Sequence, residues 1–342
     1  MVAIGAGQHS PLPRGVRGVR ARSWVPTNLG WSVDGLPRAA RRTAFDVFHA
    51  PAYTAPLWGV HPLVVTLHDV SYERRPEWYP YQVDRLRRWF YRRSALSADL
   101  VITDSDFSRR EIEAAYGIHS DRIRVVPLGV GAPFVVDRAA CATHASPPES
   151  ASDGPVILHV GDLHARRNVG VLVEALALLR RRDDELKHTV LVLAGTDRGS
   201  GPDIRARADA LGVTSAVRTV TVADDATVVA WLRRASLLAY PSLYEGFGLP
   251  ALEAMATGTP VVASTAASIP EVVGQAGLLV EPTDVRAWYE ALVAVLGSPA
   301  RSAQMRDAGV AHAQAFTWRR TAIATREVYR ELAAAARAAR PS

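Results

Sequence analysis

The sequence is poor in cysteine and has no long apolar run, and each shortage excludes a class of protein. Cys141 is the only cysteine in 342 residues, which excludes a disulfide framework and favours a reducing compartment. No run reaches the roughly 18 apolar residues of a spanning helix, and the amino terminus lacks a charged start followed by an apolar core. We therefore expect a cytoplasmic protein, either soluble or peripheral on the inner face of the membrane.

Lysine is almost absent as well, so arginine carries nearly all of the positive charge. Lys187 is the only lysine in a chain with a net charge of +6. Clustered cations would suit a nucleic-acid partner, but these arginines are dispersed and no helix-turn-helix, zinc-finger or aromatic sheet signature accompanies them. No nucleic acid is therefore expected. Residues 84–93 mix arginines with aromatics, which is typical of a helix at a membrane surface, or of a core-packing helix with a solvated basic face.

The length and the hydrophobic content of 48% allow two α/β domains with separate cores. A stretch rich in Ala, Ser and Pro over residues 136–155 predicts a linker. The predicted domains are residues 1–135 and 156–316, followed by a carboxy-terminal segment over residues 317–342.

A strand, a glycine turn and a helix are predicted in succession over residues 237–257. The apolar run 237–240 is typical of a buried parallel strand, Pro250 suits a first helical position, and Gly258 stops the helix. Ligands of open α/β sheets bind at the carboxyl ends of strands, where the amides at a helix start can face a diphosphate. The residues of the turn predicted to contact such a ligand are Gly246, Phe247, Gly248 and Leu249.

Two glutamates flank this turn, and with it they resemble the signature of the retaining glycosyltransferases of family four. Seven residues separate Glu245 from Glu253, and the match continues through residues 258–262 and 269–272. The resemblance implies that Glu245 holds hydroxyls of the donor sugar and that Glu253 holds those of the ribose. An ionised carboxylate suits both roles, because it accepts strong hydrogen bonds from a vicinal diol. The alternative for Glu253 is a first-turn acid that only complements the helix dipole.

A second strand-to-helix passage begins at the predicted strand 156–160 and resembles the diphosphate-binding element of the same family. It contains Gly161 and then the pair Arg166 and Arg167, where the family usually has Arg-Lys. Arginine keeps the charge and adds a planar fork for phosphate oxygens. A helix start is a poor place for unpaired cations unless an anion binds there, although a solvated basic helix start is the alternative.

The predicted strand 217–222 ends at Val222, where the family places the wall of the nucleotide base. A larger or aromatic residue is frequent at this position in the family. The identity of the base therefore stays open.

In the first domain, His68 follows the apolar run 62–67 and lies where the family places a histidine facing the reacting sugars. An imidazole there could orient a donor hydroxyl or the acceptor, and the alternative is a hydrogen-bonded loop histidine.

Asp104 and Asp106 resemble the aspartate pair with which another class of transferases binds a divalent metal. The pair opens a predicted helix, however, and Asp104 or Asp106 is better explained as its cap. The family uses basic residues instead, so no metal and no other cofactor is expected.

The resemblance implies an α/β fold of GT-B type, with two doubly wound Rossmann-like domains facing a cleft and a last helix that crosses back to the first domain. It also implies an enzyme of cell-wall or polysaccharide biosynthesis. Such an enzyme moves a hexose, mannose-like or similar, from a nucleotide diphosphate sugar to a glycan or lipid-linked acceptor, with retention. The same fold also serves sugar-nucleotide epimerases, which are the alternative.

The start of the sequence departs from the family. Family members begin with a strand and a glycine-rich loop, whereas residues 2–5 resemble their second strand and residues 8–42 show no clear periodicity. A shortened first domain is therefore expected, and a donor-binding protein without turnover is a further alternative.

Overall fold

A computed structural model shows a chain that divides into two compact α/β units. The first contains residues 1–104, 108–126 and 322–342, and the second contains residues 105–107 and 127–321. The structure describes residues 2–5, 14, 16–20, 30–79, 85–135, 154–222 and 224–339. The predicted linker therefore lies outside the described residues, except for its last two positions.

The first unit is built on a four-stranded parallel sheet with the order β3-β4-β5-β6, beside a separate parallel pair β1-β2. These strands are β1 (Val2–Gly5), β2 (Arg17–Arg20), β3 (Phe48–Ala50), β4 (Leu63–Thr66), β5 (Leu100–Thr103) and β6 (Ile123–Val125). Its helices before the last strand are α1 (Leu36–Arg41), α2 (Ser71–Arg74), α3 (Arg85–Ser97) and α4 (Asp106–Tyr116), and α4 belongs to this unit from residue 108 onward.

Strand β2 and helix α1 lie in the segment 8–42, where the sequence showed no periodicity. Strand β2 consists of Arg, Gly, Val and Arg and forms through backbone pairing with β1, which leaves no apolar alternation to detect. Helix α1 is only six residues long, and four of them are buried. Both elements thus depend on tertiary contacts rather than on a local pattern.

The second unit contains a six-stranded parallel sheet with the order β12-β11-β10-β7-β8-β9. Its strands are β7 (Val156–Val160), β8 (Val190–Ala194), β9 (Val217–Val220), β10 (Leu237–Tyr240), β11 (Val261–Ser264) and β12 (Leu278–Val280). Its helices are α5 (Gly170–Arg182), α6 (Gly201–Leu211), α7 (Asp225–Arg234), α8 (Leu249–Ala256), α9 (Ile269–Val273), α10 (Val285–Leu296) and α11 (Pro299–Ala313).

Helices cover both faces of this sheet. Successive residues of its strands point to opposite faces, and the apolar residues on each face are buried against helices. Ile157 packs in a core cluster with α5, α6 and α10, whereas Leu158 packs in a second cluster with α7, α8 and α9. The prediction of a doubly wound α/β fold is confirmed. The strand order reverses between the neighbours β7 and β10, which is where such sheets bind ligands.

The last helix, α12 (Trp318–Ala338), contributes its residues from 322 onward to the first unit. Val328 and Leu332 are buried against Ile102 and other residues of that unit's sheet. The Tyr329 hydroxyl lies 2.6 Å from Nδ1 of His49 on β3. This helix therefore completes the core of the first unit.

Candidate functional site

Two loops of the second unit meet where the strand order reverses. The loop 161–168 follows β7 and the loop 241–248 follows β10, and the two strands are hydrogen-bonded neighbours. The N–H of Leu243 donates to the carbonyl of Arg166 at 2.8 Å, which ties the loops together. The predicted donor-binding residues of both loops are thereby brought to one edge of the sheet.

Glu245 lies between the two arginines of the other loop. It is only 6% exposed, its Oε2 accepts from Nη1 of Arg166 at 3.2 Å, and its Oε1 accepts from Nη1 of Arg167. Burial by itself raises the pKa of Glu245, but the charges of Arg167 and Arg166 outweigh it, so the net pKa is lowered. The site therefore holds one ionised carboxylate and two cations, which leaves one positive charge to attract an anion.

Tyr240 and Ser242, at the end of β10, fix the position of Arg167. The phenolic oxygen of Tyr240 accepts from Nη1 of Arg167, whose guanidinium carbon lies 5.4 Å from the centre of the Tyr240 ring. The hydroxyl of Ser242 accepts from the same nitrogen at 3.4 Å. Burial raises the pKa of Tyr240, so its phenol stays protonated. These two residues orient the cation, and sequence reasoning did not single them out.

A buried histidine lies behind this cluster. The ring of His159, on β7, stacks on Tyr240 at 6.1 Å, and its Nδ1 lies 3.2 Å from the Ala239 carbonyl. Burial, and then the charge of Arg167, lower the pKa of His159 to about 4, so the ring is neutral near pH 7. The Nε2 of His159 and the Nε of Arg167 are buried and lack a hydrogen-bond partner among the described residues. Sequence reasoning did not single out His159, because its contact with Tyr240 depends on the pairing of β7 with β10.

Glycine is required at two positions of the site. Gly161 has φ +138°, and a Cβ there would lie 3.3 Å from the guanidinium carbon of Arg167, which is a tight contact with that cation. Gly248 has φ +108° at the residue that caps α8. Both positions favour glycine because other residues rarely adopt a positive φ.

The apolar residues predicted to bind the donor belong to the core. The Phe247 ring is buried and packs edge-on against Phe316 at 6.1 Å. Leu249 and Val222 are half-buried and pack against the same core cluster. For Phe247, a ligand could therefore be contacted by the backbone but not by the ring.

Glu253 lies in helix α8, beyond the turn, and is half-buried. It has no ion-pair partner among the residues that the structure describes. Burial, and then the charge of Asp225 on α7, raise the pKa of Glu253 to about 7. The carboxyl group of Glu253 is thus only partly ionised near neutral pH.

In the first unit, His68 is paired with a buried carboxylate. Its Nδ1 lies 2.8 Å from Oδ2 of Asp104, and the side chain of His68 is 40% exposed while that of Asp104 is 3% exposed. From the sequence, Asp104 or Asp106 was expected to cap the helix, and the pair was considered as metal ligands. Instead Asp104 pairs with His68, because β4 and β5 are neighbours and end at the same edge.

The described residues contain no group of three or more His, Cys, Asp or Glu side chains placed to hold a metal ion. Within the same residues, no helix is both long and apolar enough to cross a bilayer.

Two family profiles match the chain, one on each side of the predicted linker. The profile described as "Glycosyltransferase Family 4" matches residues 3–132, and the profile described as "Glycosyl transferases group 1" matches residues 154–298. Together they cover most of both units.

Similar proteins support the same relationship. O-antigen chain mannosyltransferase B of Escherichia coli is 31% identical over 298 residues, covering 84% of this chain and 74% of that protein. A D-inositol 3-phosphate glycosyltransferase of Jonesia denitrificans is 30% identical over 334 residues, covering 91% and 78%. Among solved structures, sucrose-phosphate synthase from Thermosynechococcus elongatus has a TM-score of 0.73 at 22% identity, covering 96% of this chain and 85% of that one.

Proposed function

The chain belongs to family 4 of the glycosyltransferases and has their GT-B fold, and we propose that it transfers a hexose from a nucleoside diphosphate sugar with retention. The acceptor is a hydroxyl of a glycan or of a lipid-linked sugar, in cell-wall or polysaccharide biosynthesis. The observation that carries this proposal is the cluster of Arg166, Arg167 and Glu245 at the reversal of strand order. Family membership also favours transfer over the epimerase alternative.

The chemistry follows from the charges of this cluster. When the bond between the sugar and the diphosphate breaks, negative charge grows on the leaving group, and stabilising such charge is usually the largest catalytic contribution. Arg166 and Arg167 supply two guanidinium groups for the phosphate oxygens, and Glu245 binds sugar hydroxyls. Glu253 binds the ribose, and His68 orients a reacting hydroxyl. Each of these roles is part of the proposal.

The name of the 31% identical relative makes mannose the first sugar to test. We would measure thermal unfolding with GDP-mannose, UDP-glucose, ADP-glucose and dTDP-glucose, because a ligand at about 100 times its Kd stabilises a protein by about 2.7 kcal/mol. The anomeric configuration of the product, read by NMR, then tests retention. If no nucleotide sugar shifts the unfolding transition, the donor site is assigned wrongly.

Transfer is expected to proceed without a divalent metal, because the two arginines hold the diphosphate. Activity measured in EDTA should equal activity in magnesium or manganese within about twofold, whereas removal of a required metal would abolish it. The same activity assay on Asp106→Asn tests whether Asp106, which with Asp104 was considered as a metal ligand, is needed for transfer. Loss of turnover in EDTA and its recovery with metal would contradict this part of the proposal.

We further propose that helix α3 binds an anionic membrane surface. Phe90 is buried, whereas Leu86 and Trp89 are 59% and 51% exposed among the exposed arginines Arg85 and Arg87. An exposed face that combines cations with large apolar side chains is typical of interfacial helices. The charge on this face complements anionic lipid headgroups.

Vesicle binding tests this surface. Each arginine near an anionic membrane contributes about 1 kcal/mol, so the double variant Arg85→Gln/Arg87→Gln should bind phosphatidylglycerol vesicles about 30-fold more weakly. The matched control is Arg181→Gln/Arg182→Gln, which removes two exposed arginines of the second unit. Equal binding by both double variants, or binding that does not depend on anionic lipid, would contradict the assignment.

A further inference from the structure

His68 and Asp104 form a pair with one accessible end and one buried end. They follow the neighbouring strands β4 and β5, and their Nδ1 and Oδ2 atoms are 2.8 Å apart. The side chain of His68 is 40% exposed, whereas that of Asp104 is 3% exposed. Asp104 is therefore too enclosed to contact a substrate directly. It can affect a substrate only through His68, with which it is hydrogen-bonded.

The carboxylate determines which nitrogen of the imidazole carries the proton. An ionised carboxylate can only accept a hydrogen bond, so Nδ1 of His68 must donate. In the neutral ring Nε2 is then the acceptor, and it is the atom that gains a proton when the ring becomes charged. The contact thus selects one tautomer and one ring orientation.

Two other contacts hold the histidine from other sides. The ring of Tyr53 lies edge-on to the His68 ring at 6.0 Å, and Tyr53 has φ +47°, a conformation that non-glycine residues rarely adopt. The hydroxyl of Ser108 donates to the carbonyl of His68 at 3.1 Å. The surroundings therefore restrict both the ring and the backbone of His68.

We propose that Asp104 is the positioning residue of His68 in the transfer reaction: it fixes the orientation, the tautomer and the protonation of the imidazole. This inference rests on the proposed function, in which His68 orients a reacting hydroxyl. It adds a residue whose role no family motif in the sequence indicated.

The two carboxylates near His68 both raise the pKa of its imidazole. The hydrogen bond to Asp104 raises the pKa of His68, burial opposes it, and the charges of Asp104 and Asp69 with the Pro51 carbonyl raise it further. Burial, with the charge of Asp69, raises the pKa of Asp104, and the hydrogen bond and charge of His68 counteract this rise only in part. His49 also faces His68, but burial and then the charge of His68 lower the pKa of His49 to about 4, so it is uncharged near neutral pH.

NMR titration of the imidazole tests the inference independently of any substrate. In the intact protein, the His68 resonances should show the Nδ1–H tautomer and a pKa above the ordinary value of 6.5. Asp104→Asn keeps the size of the side chain but removes the charge, so the pKa of His68 should fall. The matched control is Asp121→Asn, because Asp121 lies 3.0 Å from His119 in an exposed pair of the same unit. The control should leave the His68 resonances unchanged.

Kinetics test whether this positioning serves transfer. Asp104→Asn should lower kcat about 10- to 100-fold, because small misplacement of a reacting group costs about that much. The KM for the donor should change by less than about twofold. The pH profile of kcat should shift to lower pH, because the pKa of His68 falls in this variant. In the His68→Gln background, the same substitution should have no further effect, because the two residues act as one unit.

Two results would overturn the inference. One is an unchanged His68 pKa in a folded Asp104→Asn variant. The other is an equal loss of kcat from Asp104→Asn with and without His68, which would indicate a purely structural role for the carboxylate. If the wild-type chain transfers sugar from no donor, the proposed function fails, and the NMR titration still decides whether Asp104 controls His68.

Discussion

Glu245→Gln is expected to lower transfer from the intact donor about 10- to 150-fold and, at the same time, to strengthen the binding of free nucleoside diphosphate. Transfer falls because the sugar hydroxyls would no longer donate to a charged carboxylate. A hydrogen bond to a charged group contributes about 1.5–3 kcal/mol. The gain follows from the ion pairs in the site, since Glu245 engages both Arg166 and Arg167. The carboxylate thus competes with a diphosphate for the same two cations.

The same substitution should destabilise the unliganded second unit. Removing one partner of a buried ion pair costs about 3–5 kcal/mol, because the other charge is left uncompensated. A nucleoside diphosphate should restore this stability, since its phosphates replace the lost anion. Thermal unfolding and calorimetric titration, each with and without UDP and GDP, measure the two effects.

Glu174→Gln is the matched control for this experiment. Glu174 also pairs with an arginine of the second unit, Arg207, but the side chains are 33% and 50% exposed. Exposed pairs contribute about 0–1 kcal/mol, so the control should unfold almost as the wild type does. Weaker nucleotide binding by Glu245→Gln would show that the carboxylate supports the arginines rather than competing with the ligand.

The affinity for nucleoside diphosphate should rise about tenfold between pH 6 and pH 8, because of Glu253. The pKa of this carboxyl is raised to about 7 in the unliganded protein, so about a tenth is ionised at pH 6 and about nine tenths at pH 8. The ribose diol binds the ionised form more strongly. Glu253→Gln should bind more weakly at pH 8 and should keep only the pH dependence that comes from the nucleotide phosphates themselves.

The pKa of Glu253 has an opposite consequence for stability. Because it is raised from 4.5 to about 7 on folding, the folded state binds the proton more tightly than the unfolded state. The resulting stabilisation is complete below pH 4.5 and is lost as the pH rises through 7, by about 3 kcal/mol. Chemical denaturation across pH 4.5–8 should show this loss in the wild type and a smaller loss in Glu253→Gln. Equal pH dependence of both proteins would contradict the shifted pKa.

Local sequence patterns were sufficient for the elements that carry the donor site. The run 237–240, Pro250 and Gly258 predicted strand β10 and helix α8, and both are confirmed. Buried parallel strands are recognisable because both of their faces are apolar, and helix boundaries because proline and glycine act locally. The fold class and the family were predictable for the same reason, since the motifs lie within short stretches of chain.

Elements without such a local signature were not predictable. Strand β2 contains two arginines and a glycine and depends on its pairing with β1. The pairing of His68 with Asp104 spans 36 residues, and the stacking of His159 on Tyr240 spans 81 residues of the chain. Each contact exists because two parallel strands lie side by side, which residue spacing does not reveal.

By itself, then, the sequence determined the α/β class, the family and the loops that carry Arg166, Arg167 and Glu245. These properties follow from local patterns of burial, turn and charge. The tertiary structure decided that both oxygens of Glu245 are engaged by arginines, that Asp104 pairs with His68 instead of capping a helix, and that the pKa of Glu253 lies near neutrality. Hydrogen bonds and desolvation depend on which groups the packed sheet and helices bring together, and this is set by the strand order and not by any short segment of the chain.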